Sequence, residues 1–254
     1  MRNIKITIEY DGTNYHGWQR QKNTSETVQE KLEEALTTIN KKPVDVQGAS
    51  RTDAGVHAMG QAANFFIDVS IPVERIPPAL NRLLPEDIRC VKAEAVPVDF
   101  HARHDAQGKK YLYRIYNQGI PSVFIRNYVY YFKKKLDPVI MQQAARSLEG
   151  THDFTSFRAA DCTAKTTVRT IQSIEVIDKS PEIWVEVKGD GFLYNMVRII
   201  IGPLLEVSLG KIRVKEVAEI LAAKDRRLAG FTAPARGLTL VEVYYEKNCL
   251  TKEG

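Results

Sequence analysis

The stretch Gly48-Ala49-Ser50-Arg51-Thr52-Asp53-Ala54-Gly55-Val56-His57-Ala58 decides how this chain is organised. An alternating apolar run that contains Val44 and Val46 precedes it, and a second apolar run covers residues 62–69. The glycines and small residues predict a tight loop between two strands, because glycine adopts positive backbone angles at little cost. One cation, one hydroxyl and one carboxylate stand together in this loop, at Arg51, Thr52 and Asp53. Spacing alone favours an ordinary turn with an Asx-type hydrogen bond over a loop that presents these groups to a ligand.

The residues around this loop predict the element order β-α-β-β-α-β. Apolar and polar residues alternate over residues 4–10, which predicts a half-buried strand. Thr27 and Glu30 have the spacing of a capping box, and the helix that follows carries apolar residues at intervals of three and four. A strand over residues 62–69, a short helix over 77–84 and a strand over 88–96 complete a split βαβ unit.

The second half of the chain repeats this order without visible sequence identity to the first. After a connector over residues 97–107, the predicted elements are strands over 110–117 and 128–132, a helix from Asp137 to Leu148, a hairpin over 168–177 and 183–188, helices over 192–209 and 214–223, and a strand over 238–245. The predicted fold class is α+β, with two ferredoxin-like (RRM-like) βαββαβ units joined into one extended antiparallel sheet. The predicted domains are an N-terminal α/β domain over residues 1–105 that carries the loop, and a C-terminal α/β domain over 106–254 that completes an active-site cleft.

Composition and charge narrow the function classes. The 254 residues include 36 Lys and Arg against 31 Asp and Glu, a net charge of +5 that makes polyanions plausible partners. Cys90, Cys162 and Cys249 lie far apart, which predicts reduced thiols rather than a disulfide framework or a zinc site. The chain starts directly with a strand pattern and shows no signal-peptide block, so we expect a cytoplasmic protein.

Familiar cofactor motifs are missing from the sequence. Neither the Walker-type phosphate loop nor a dinucleotide-binding G-x-G-x-x-G after a strand is present, and the five histidines lack metal-ligand spacing. We therefore expect no cofactor and no metal.

Aromatic and basic residues occur together in ways that suit RNA. In the loop over residues 15–22, Tyr15 and Trp18 stand beside Arg20 and Lys22, a mixture that suits base stacking plus phosphate contact. Packing of the two aromatic rings against the edge of a core explains the same pattern equally well. Further basic clusters favour nucleic acid modestly, and they lie at 41–42, 109–110, 133–135 and 226–227.

Two residues of the second half stand out. Strand alternation puts Tyr111 on the same face as Tyr113, where the ring of Tyr111 could stack on a base or pack in the core. Arg198 lies in an otherwise apolar helix, and a buried guanidinium is costly unless a carboxylate pairs with it.

The loop and a series of further motifs resemble the tRNA pseudouridine synthase A family. They run in order over nearly the whole chain: Tyr10-Asp11-Gly12, Thr27-Val28-Gln29, Arg51 to Ala58 with Gly60-Gln61, Phe100-His101-Ala102-Arg103, Tyr111-x-Tyr113, Asp153 to Phe157, Asn195-Met196-Val197-Arg198, and Thr232-Ala233-Pro234-Ala235-x-Gly237-Leu238. Ser50 stands where the family is associated with glycine, a mild departure because Gly48 and Gly55 remain.

The resemblance implies a function and a set of roles. It implies isomerisation of uridine to pseudouridine at positions 38, 39 and 40 of the anticodon stem-loop, by a cofactor-free homodimer that contacts the stem-loop and the body of the tRNA. By this matching, Asp53 would be the catalytic aspartate, Tyr111 the residue stacked on the target base, and Arg198 the partner of Asp53. Arg51 would help to extrude or replace the flipped nucleotide, and Leu238 would pack in the pocket.

Further RNA contacts are predicted at four cations. These are Arg20, Lys22, Lys109 and Arg158.

Two other functions compete with this prediction. A non-catalytic RNA-binding protein with two RRM-like units would use the loop aspartate only to cap a turn. The segment Lys188 to Tyr194 resembles the RRM signature, but Asp190 stands where an aromatic should stack on a base, which argues against a plain RRM. The third possibility is pseudouridine formation in another RNA.

Overall fold

The computed structural model describes residues 1–160, 162 and 164–246 of the chain. They form two compact units. Unit 1 comprises Met1–Gln107 and the described residues from Leu240 onward, and unit 2 comprises Gly108–Thr239. Each unit combines helices with a mainly antiparallel sheet, which confirms the predicted α+β class.

The described strands and α-helices follow one another in this order: β1 (Arg2–Tyr10), α1 (Val28–Asn40), β2 (Gln47–Gly48), β3 (His57–Ile67), α2 (Ile76–Asn81), β4 (Ile88–Val96), β5 (Gly108–Tyr116), β6 (Tyr130–Tyr131), α3 (Pro138–Ala145), β7 (Gly150–Asp153), β8 (Val168–Lys179), β9 (Glu182–Gly189), α4 (Met196–Ser208), α5 (Glu216–Ala223) and β10 (Leu238–Tyr244).

The sheet of unit 1 has β1 at its centre, between β4 and β3, with β2 paired to β3. These pairings are antiparallel, and β10 also neighbours β3. The alternation predicted for residues 4–10 is present, since Ile4, Ile6 and Ile8 are fully buried. Each buried side chain of this size contributes roughly 1.5–3 kcal/mol to folding.

Helix α1 begins where the sequence predicts. The Thr27 hydroxyl accepts a hydrogen bond of 3.4 Å from the Glu30 N–H, and the Thr27 N–H itself donates to the Ser25 carbonyl. The helix buries Val28, Leu32 and Leu36. This apolar stripe supplies helical side chains to the core of unit 1.

The sheet of unit 2 has the strand order β5-β9-β8-β7, all antiparallel, and the short β6 pairs parallel to β5. Helix α3 is capped by Asp137, whose carboxylate accepts from the N–H groups of Val139 and Ile140, as predicted. It packs against α4 and β8. Strand β7 was not predicted from the sequence.

Several predicted boundaries differ from the structure, and three of the differences have a clear cause or are large. The smaller ones include the helix predicted over 77–84, which is Ile76–Asn81, and the helix predicted over 214–223, which is Glu216–Ala223. Strand β3 begins at His57 rather than at 62, because the early residues pair with β1 although they do not alternate in polarity. Helix α4 begins at Met196 rather than at 192, because Asn195 takes a left-handed conformation with φ of 61°. The strand predicted over 128–132 contains only Tyr130–Tyr131.

Two findings concern the cysteines and the apolar helices. Cys90 and Cys162 are free thiols as predicted, and Cys249 lies outside the described residues. Within the described part of the chain, no helix is both long and apolar enough to cross a membrane.

Candidate active site

The loop that joins β2 to β3 is clamped where it begins. The Ser50 N–H donates to Oε1 of Gln61 at 3.1 Å, and Nε2 of Gln61 donates to the Ser50 carbonyl at 2.6 Å. Gln61 lies on β3 and is fully buried. The amide thus satisfies both backbone groups of Ser50, as a neighbouring strand would, and it fixes the backbone immediately before Arg51.

The segment that follows β1 holds the middle of the loop. The hydroxyls of Tyr10 and Thr52 share a hydrogen bond of 2.6 Å, and the Trp18 N–H donates to the Thr52 carbonyl at 3.0 Å. Gly17 has φ of +92°, and a Cβ there would lie 2.7 Å from the Thr52 carbonyl oxygen. Only glycine therefore permits this close approach of two backbones.

The two aromatic residues of the 15–22 loop, Tyr15 and Trp18, also help to hold the loop that carries Asp53. Tyr15 is 5% exposed and Trp18 is 1% exposed, and the Tyr15 carbonyl accepts from the Gly55 N–H at 3.2 Å. Of the two explanations that the sequence left open, packing is confirmed for both rings. Neither ring is placed to stack on a base.

The three polar residues of the loop differ in exposure. Thr52 is buried, Asp53 is half-buried and Arg51 is exposed. The Asp53 carbonyl accepts from the Val56 N–H at 3.1 Å, which closes a turn directly after the carboxylate. The hydroxyl thus serves the fold, while the Arg51 side chain is exposed to solvent.

A cleft of about 450 Å³ adjoins the loop within unit 1. The Arg51 side chain as a whole is exposed, but its guanidinium is partly desolvated, which lowers its pKa, and the charge of Arg103 lowers this pKa further. Like charges held together in this way favour binding of an anion. The cleft also contains acidic side chains, and its charged and histidine lining comprises Arg20, Glu33, Asp45, Arg51, His101, Arg103 and His104.

Unit 2 contains the tyrosine and the arginine that the sequence singled out. Tyr111 lies on β5, is 6% exposed, and meets Phe192 edge to face, with ring centroids 5.3 Å apart. Arg198 lies on α4 and is half-buried. Its Nε donates to the Ala233 carbonyl at 2.8 Å, and its Nη1 donates to Oδ1 of Asn195 at 2.6 Å.

The segment before β10 is fixed beside Arg198. The Ala233 N–H donates back to the Arg198 carbonyl at 3.0 Å, and the Tyr113 hydroxyl donates to the Pro234 carbonyl at 2.8 Å. Tyr113 is fully buried, and this burial raises the pKa of its phenol. Leu238, at the start of β10, is 5% exposed. Arg198 therefore bonds to a backbone oxygen and an amide oxygen of its own unit.

The predicted site residues are divided between the units. Unit 1 holds Arg51 and Asp53 in one loop, and Arg20 lines the same cleft as Arg51, where Arg20 pairs with Glu33 at 2.8 Å. Unit 2 holds Tyr111, Arg198 and Leu238. Of the remaining predicted RNA contacts, Lys22 is exposed, whereas Lys109 and Arg158 are half-buried.

Sequence analysis missed the role of Gln61. Its position beside Gly60 belongs to the motif, but its two bonds to Ser50 join residues 11 positions apart. An amide between Gly60 and Ala62, in a stretch of small residues that the sequence predicts to enter the core, is the signal that could have indicated such a clamp.

Comparison with known proteins gives one consistent result. A family model described as tRNA pseudouridine synthase matches residues 6–105 and 144–246. The chain is 53% identical over 245 residues to the tRNA pseudouridine synthase A of Acetivibrio thermocellus, covering 96% of this chain and all of that protein. It is 50% identical over 246 residues to the protein of the same name in Ruminiclostridium cellulolyticum, covering 96% of this chain and all of that protein. It is 48% identical over 245 residues to the tRNA pseudouridine synthase A 2 of Clostridium tetani, covering 96% of this chain and 99% of that protein.

Among solved structures, one chain of a structure described as "Crystal Structure of a Cbf5-Nop10-Gar1 Complex" aligns with a TM-score of 0.37 and 11% identity. The alignment covers 93% of this chain and 48% of that chain. A similarity this low carries no argument about function.

Proposed function

The chain belongs to the tRNA pseudouridine synthase A family, and we propose that it isomerises uridine to pseudouridine at positions 38, 39 and 40 of the tRNA anticodon stem-loop. The observation that carries the proposal is the 53% identity to a tRNA pseudouridine synthase A over 96% of the chain, together with a half-buried aspartate in a clamped loop. Such a loop presents a carboxylate with little conformational freedom, which is what catalysis requires of a positioned group.

The reaction needs no redox partner and no group donor. The glycosidic bond between ribose C1′ and uracil N1 breaks, the uracil turns, and a new bond joins C1′ to C5. The proton on C5 then leaves and N1 takes up a proton, so the composition is unchanged. A base inside a helical stem must first be flipped out, at a cost of a few kcal/mol. In this proposal the exposed Arg51 occupies the space of the extruded base, Tyr111 stacks on the uracil, and Leu238 contributes an apolar wall.

Asp53 acts as an anion in this scheme. Attack on the uracil ring and attack on the ribose both require an ionised carboxylate. A nearby guanidinium favours that form, and the pairing of Asp53 with Arg198 stays a prediction. Tyr111 is the proposed acceptor of the C5 proton. The predicted division into an N-terminal domain with the loop and a C-terminal domain that completes the cleft also stays a prediction.

The variant Asp53→Asn tests this function. The amide has the size of the carboxylate but cannot ionise, so we expect loss of pseudouridine formation while tRNA affinity stays within a small factor. Because isomerisation leaves the mass unchanged, the assay is release of tritium from C5 of uridine in labelled tRNA.

Asp68→Asn is the matched control for this experiment. Asp68 is exposed in unit 1 and takes part in a surface ion pair with Lys42 at 3.4 Å, so its loss should leave activity intact. Tritium release by Asp53→Asn at the wild-type rate would refute the role of Asp53. A wild-type protein that binds tRNA without releasing tritium would favour the non-catalytic RNA-binding alternative.

Substrate choice needs a separate comparison. Transcripts that carry uridine only at position 38, only at 39 or only at 40 should each release tritium. Release from an unrelated RNA, and none from these three transcripts, would assign the chemistry to another substrate.

Assembly and location complete the proposal. We propose a homodimer that contacts the stem-loop and the body of tRNA in the cytoplasm, without a cofactor. Sedimentation of the purified protein at micromolar concentration should give twice the monomer mass of 28.7 kDa. A monomer mass at that concentration would contradict the dimer.

A further inference from the structure

A loop of unit 2 exposes three apolar side chains within five residues. Ile120 is 89% exposed, Val123 is 64% exposed and Phe124 is 84% exposed. Isolated apolar side chains are common on protein surfaces, but a cluster is typical of a contact site. We refer to Ile120, Val123 and Phe124 as the apolar tip.

Hydrogen bonds hold the loop that carries the apolar tip. The Tyr131 hydroxyl donates to the Gly119 carbonyl at 3.0 Å, and the Ser122 hydroxyl accepts from the Phe124 N–H at 3.2 Å. Nη1 of Arg126 donates to the Val123 carbonyl at 2.6 Å. Because these bonds shape the turn, the exposure of Phe124 follows from a defined backbone rather than from an unstructured segment.

The surroundings of the apolar tip are strongly basic. Between Ala106 and Leu136 the sequence contains seven Lys and Arg residues and no Asp or Glu. Two of the seven, Lys110 and Arg114, pair with Glu186 and Glu182 of β9, which offsets the charge of these two. The side-chain amide of Asn117 donates to the Lys134 carbonyl at 2.7 Å, which attaches the exposed run Lys133–Lys135 to the root of the loop. Among the residues that the structure describes, none of these three lysines has an ion-pair partner.

We propose that Phe124 stacks on an unpaired nucleobase of the tRNA substrate while Lys133–Lys135 contact its phosphates. This inference rests on the proposed function. An aromatic ring beside cations is the combination that binds single-stranded RNA, because the ring meets the base and the cations meet the backbone.

RNA fits this surface better than a second copy of the chain. In a two-fold contact the same patch is used by both copies, so two positively charged surfaces would be brought together. Like charges so placed repel, whereas a polyanion is attracted.

The position of the loop also suits one continuous ligand. It follows the end of β5 at Tyr116, and Tyr111 lies five residues earlier on the same strand. At about 3.3 Å per residue, the two points are roughly 17 Å apart along the strand. A tRNA stem-loop is large enough to reach both.

The variant Phe124→Ala tests the stacking. Its dissociation constant for a tRNA transcript with uridine at 38, 39 and 40, measured by filter binding at fixed salt, should rise roughly 5- to 150-fold. Phe124→Trp restores an aromatic face and should stay within about threefold of wild type. Val98→Ala removes a side chain that is 74% exposed in unit 1, and this control should bind like wild type.

The lysine contacts have their own signature. Replacing Lys133, Lys134 and Lys135 together by Ala should reduce the slope of log affinity against log salt by about 2. Each phosphate contact that is lost leaves its counterions on the RNA, so fewer counterions are released on binding. The Phe124→Ala variant should leave this slope unchanged. An unchanged slope in the triple variant would show that these lysines do not touch the backbone.

Three further results would overturn the proposal. The first is wild-type tRNA affinity in Phe124→Ala, and the second is equal weakening of binding in Phe124→Ala and Val98→Ala. The third is a changed sedimentation mass of Phe124→Ala with unchanged tRNA affinity, which would assign the apolar tip to contact between copies of the chain. Tritium release by the wild-type protein is measured alongside. Failure of the wild type to release tritium refutes the proposed function, whereas normal release with normal Phe124→Ala binding refutes only the role of the apolar tip.

Discussion

Replacing Gln61 by Met should lower both the stability of the protein and its activity, because Gln61 holds the loop that carries Asp53. Methionine has a similar length, but it cannot form the two bonds that the amide makes with the Ser50 N–H and carbonyl. Both backbone groups lie in the interior and would lose their partners. Each unsatisfied group costs about 1–3 kcal/mol, so the free energy of unfolding should fall by roughly 2–6 kcal/mol. For a chain of this size that corresponds to a decrease in Tm of about 5 to 20 °C.

The activity of Gln61→Met should fall as well. Ser50 is followed directly by Arg51, Thr52 and Asp53, so a freed Ser50 allows the carboxylate to move. A displacement near 1 Å can cost about 100-fold in rate, and we expect kcat for tritium release to fall roughly 10- to 100-fold at temperatures where the variant is folded.

Gln142 provides a matched control in unit 2. Its Nε2 donates to the Ile174 carbonyl at 2.9 Å, and its Oε1 accepts from the Val176 N–H at 2.6 Å, so it clamps β8 as Gln61 clamps the loop. Gln142→Met should lower the Tm and leave kcat unchanged. The reasoning is refuted if Gln61→Met keeps the wild-type Tm. The positioning role is refuted if both variants lose stability but neither loses kcat.

Three further predictions concern stability. Thr27→Ala removes the cap of α1, and the free energy of unfolding measured in urea should fall by about 1 kcal/mol. Thr38→Ala is the control at an exposed site of the same helix and should change this free energy by less than about 0.5 kcal/mol. Burial raises the pKa of Tyr113, so above about pH 10 the unfolded chain loses this proton before the folded protein does. The free energy of unfolding should therefore fall as the pH rises above about 10, and it should fall less steeply in Tyr113→Phe. Hydrogen bonds from Thr167, Thr155 and Lys224 lower the pKa of Asp153. The ionised carboxylate therefore contributes fully to the free energy of unfolding above about pH 4, and this contribution is lost as the pH falls further. Asp153→Asn should show a weaker dependence of stability on acid pH in the same titration.

Local signals predicted several elements accurately. The bounds of β4 match the predicted 88–96, and the caps at Thr27 and Asp137 start α1 and α3 as expected. Capping and strand alternation depend on residues within a few positions of one another, so the sequence contains the whole interaction.

Signals that depend on distant partners were missed. Strand β7 has little apolar pattern of its own, and it exists because residues 150–153 pair with residues 168–171 of β8. The start of α4 was missed for a different reason: it is set by the left-handed backbone of Asn195, whose Oδ1 accepts from Arg198 three positions on, and this conformation leaves no spacing pattern of apolar residues.

The sequence by itself determined that Asp53 lies in a small, glycine-flanked loop between strands, and its motifs placed the chain in a family. Only the tertiary structure decided which neighbours support that loop. The Trp18 ring is buried and the backbone N–H of Trp18 donates to the Thr52 carbonyl, whereas Gln61 bonds Ser50 across 11 residues. Burial and hydrogen bonding of this kind depend on which surfaces meet after folding, and the types of residue alone do not reveal it. Residue order therefore predicted where a carboxylate would be presented, and packing determined how firmly it is held.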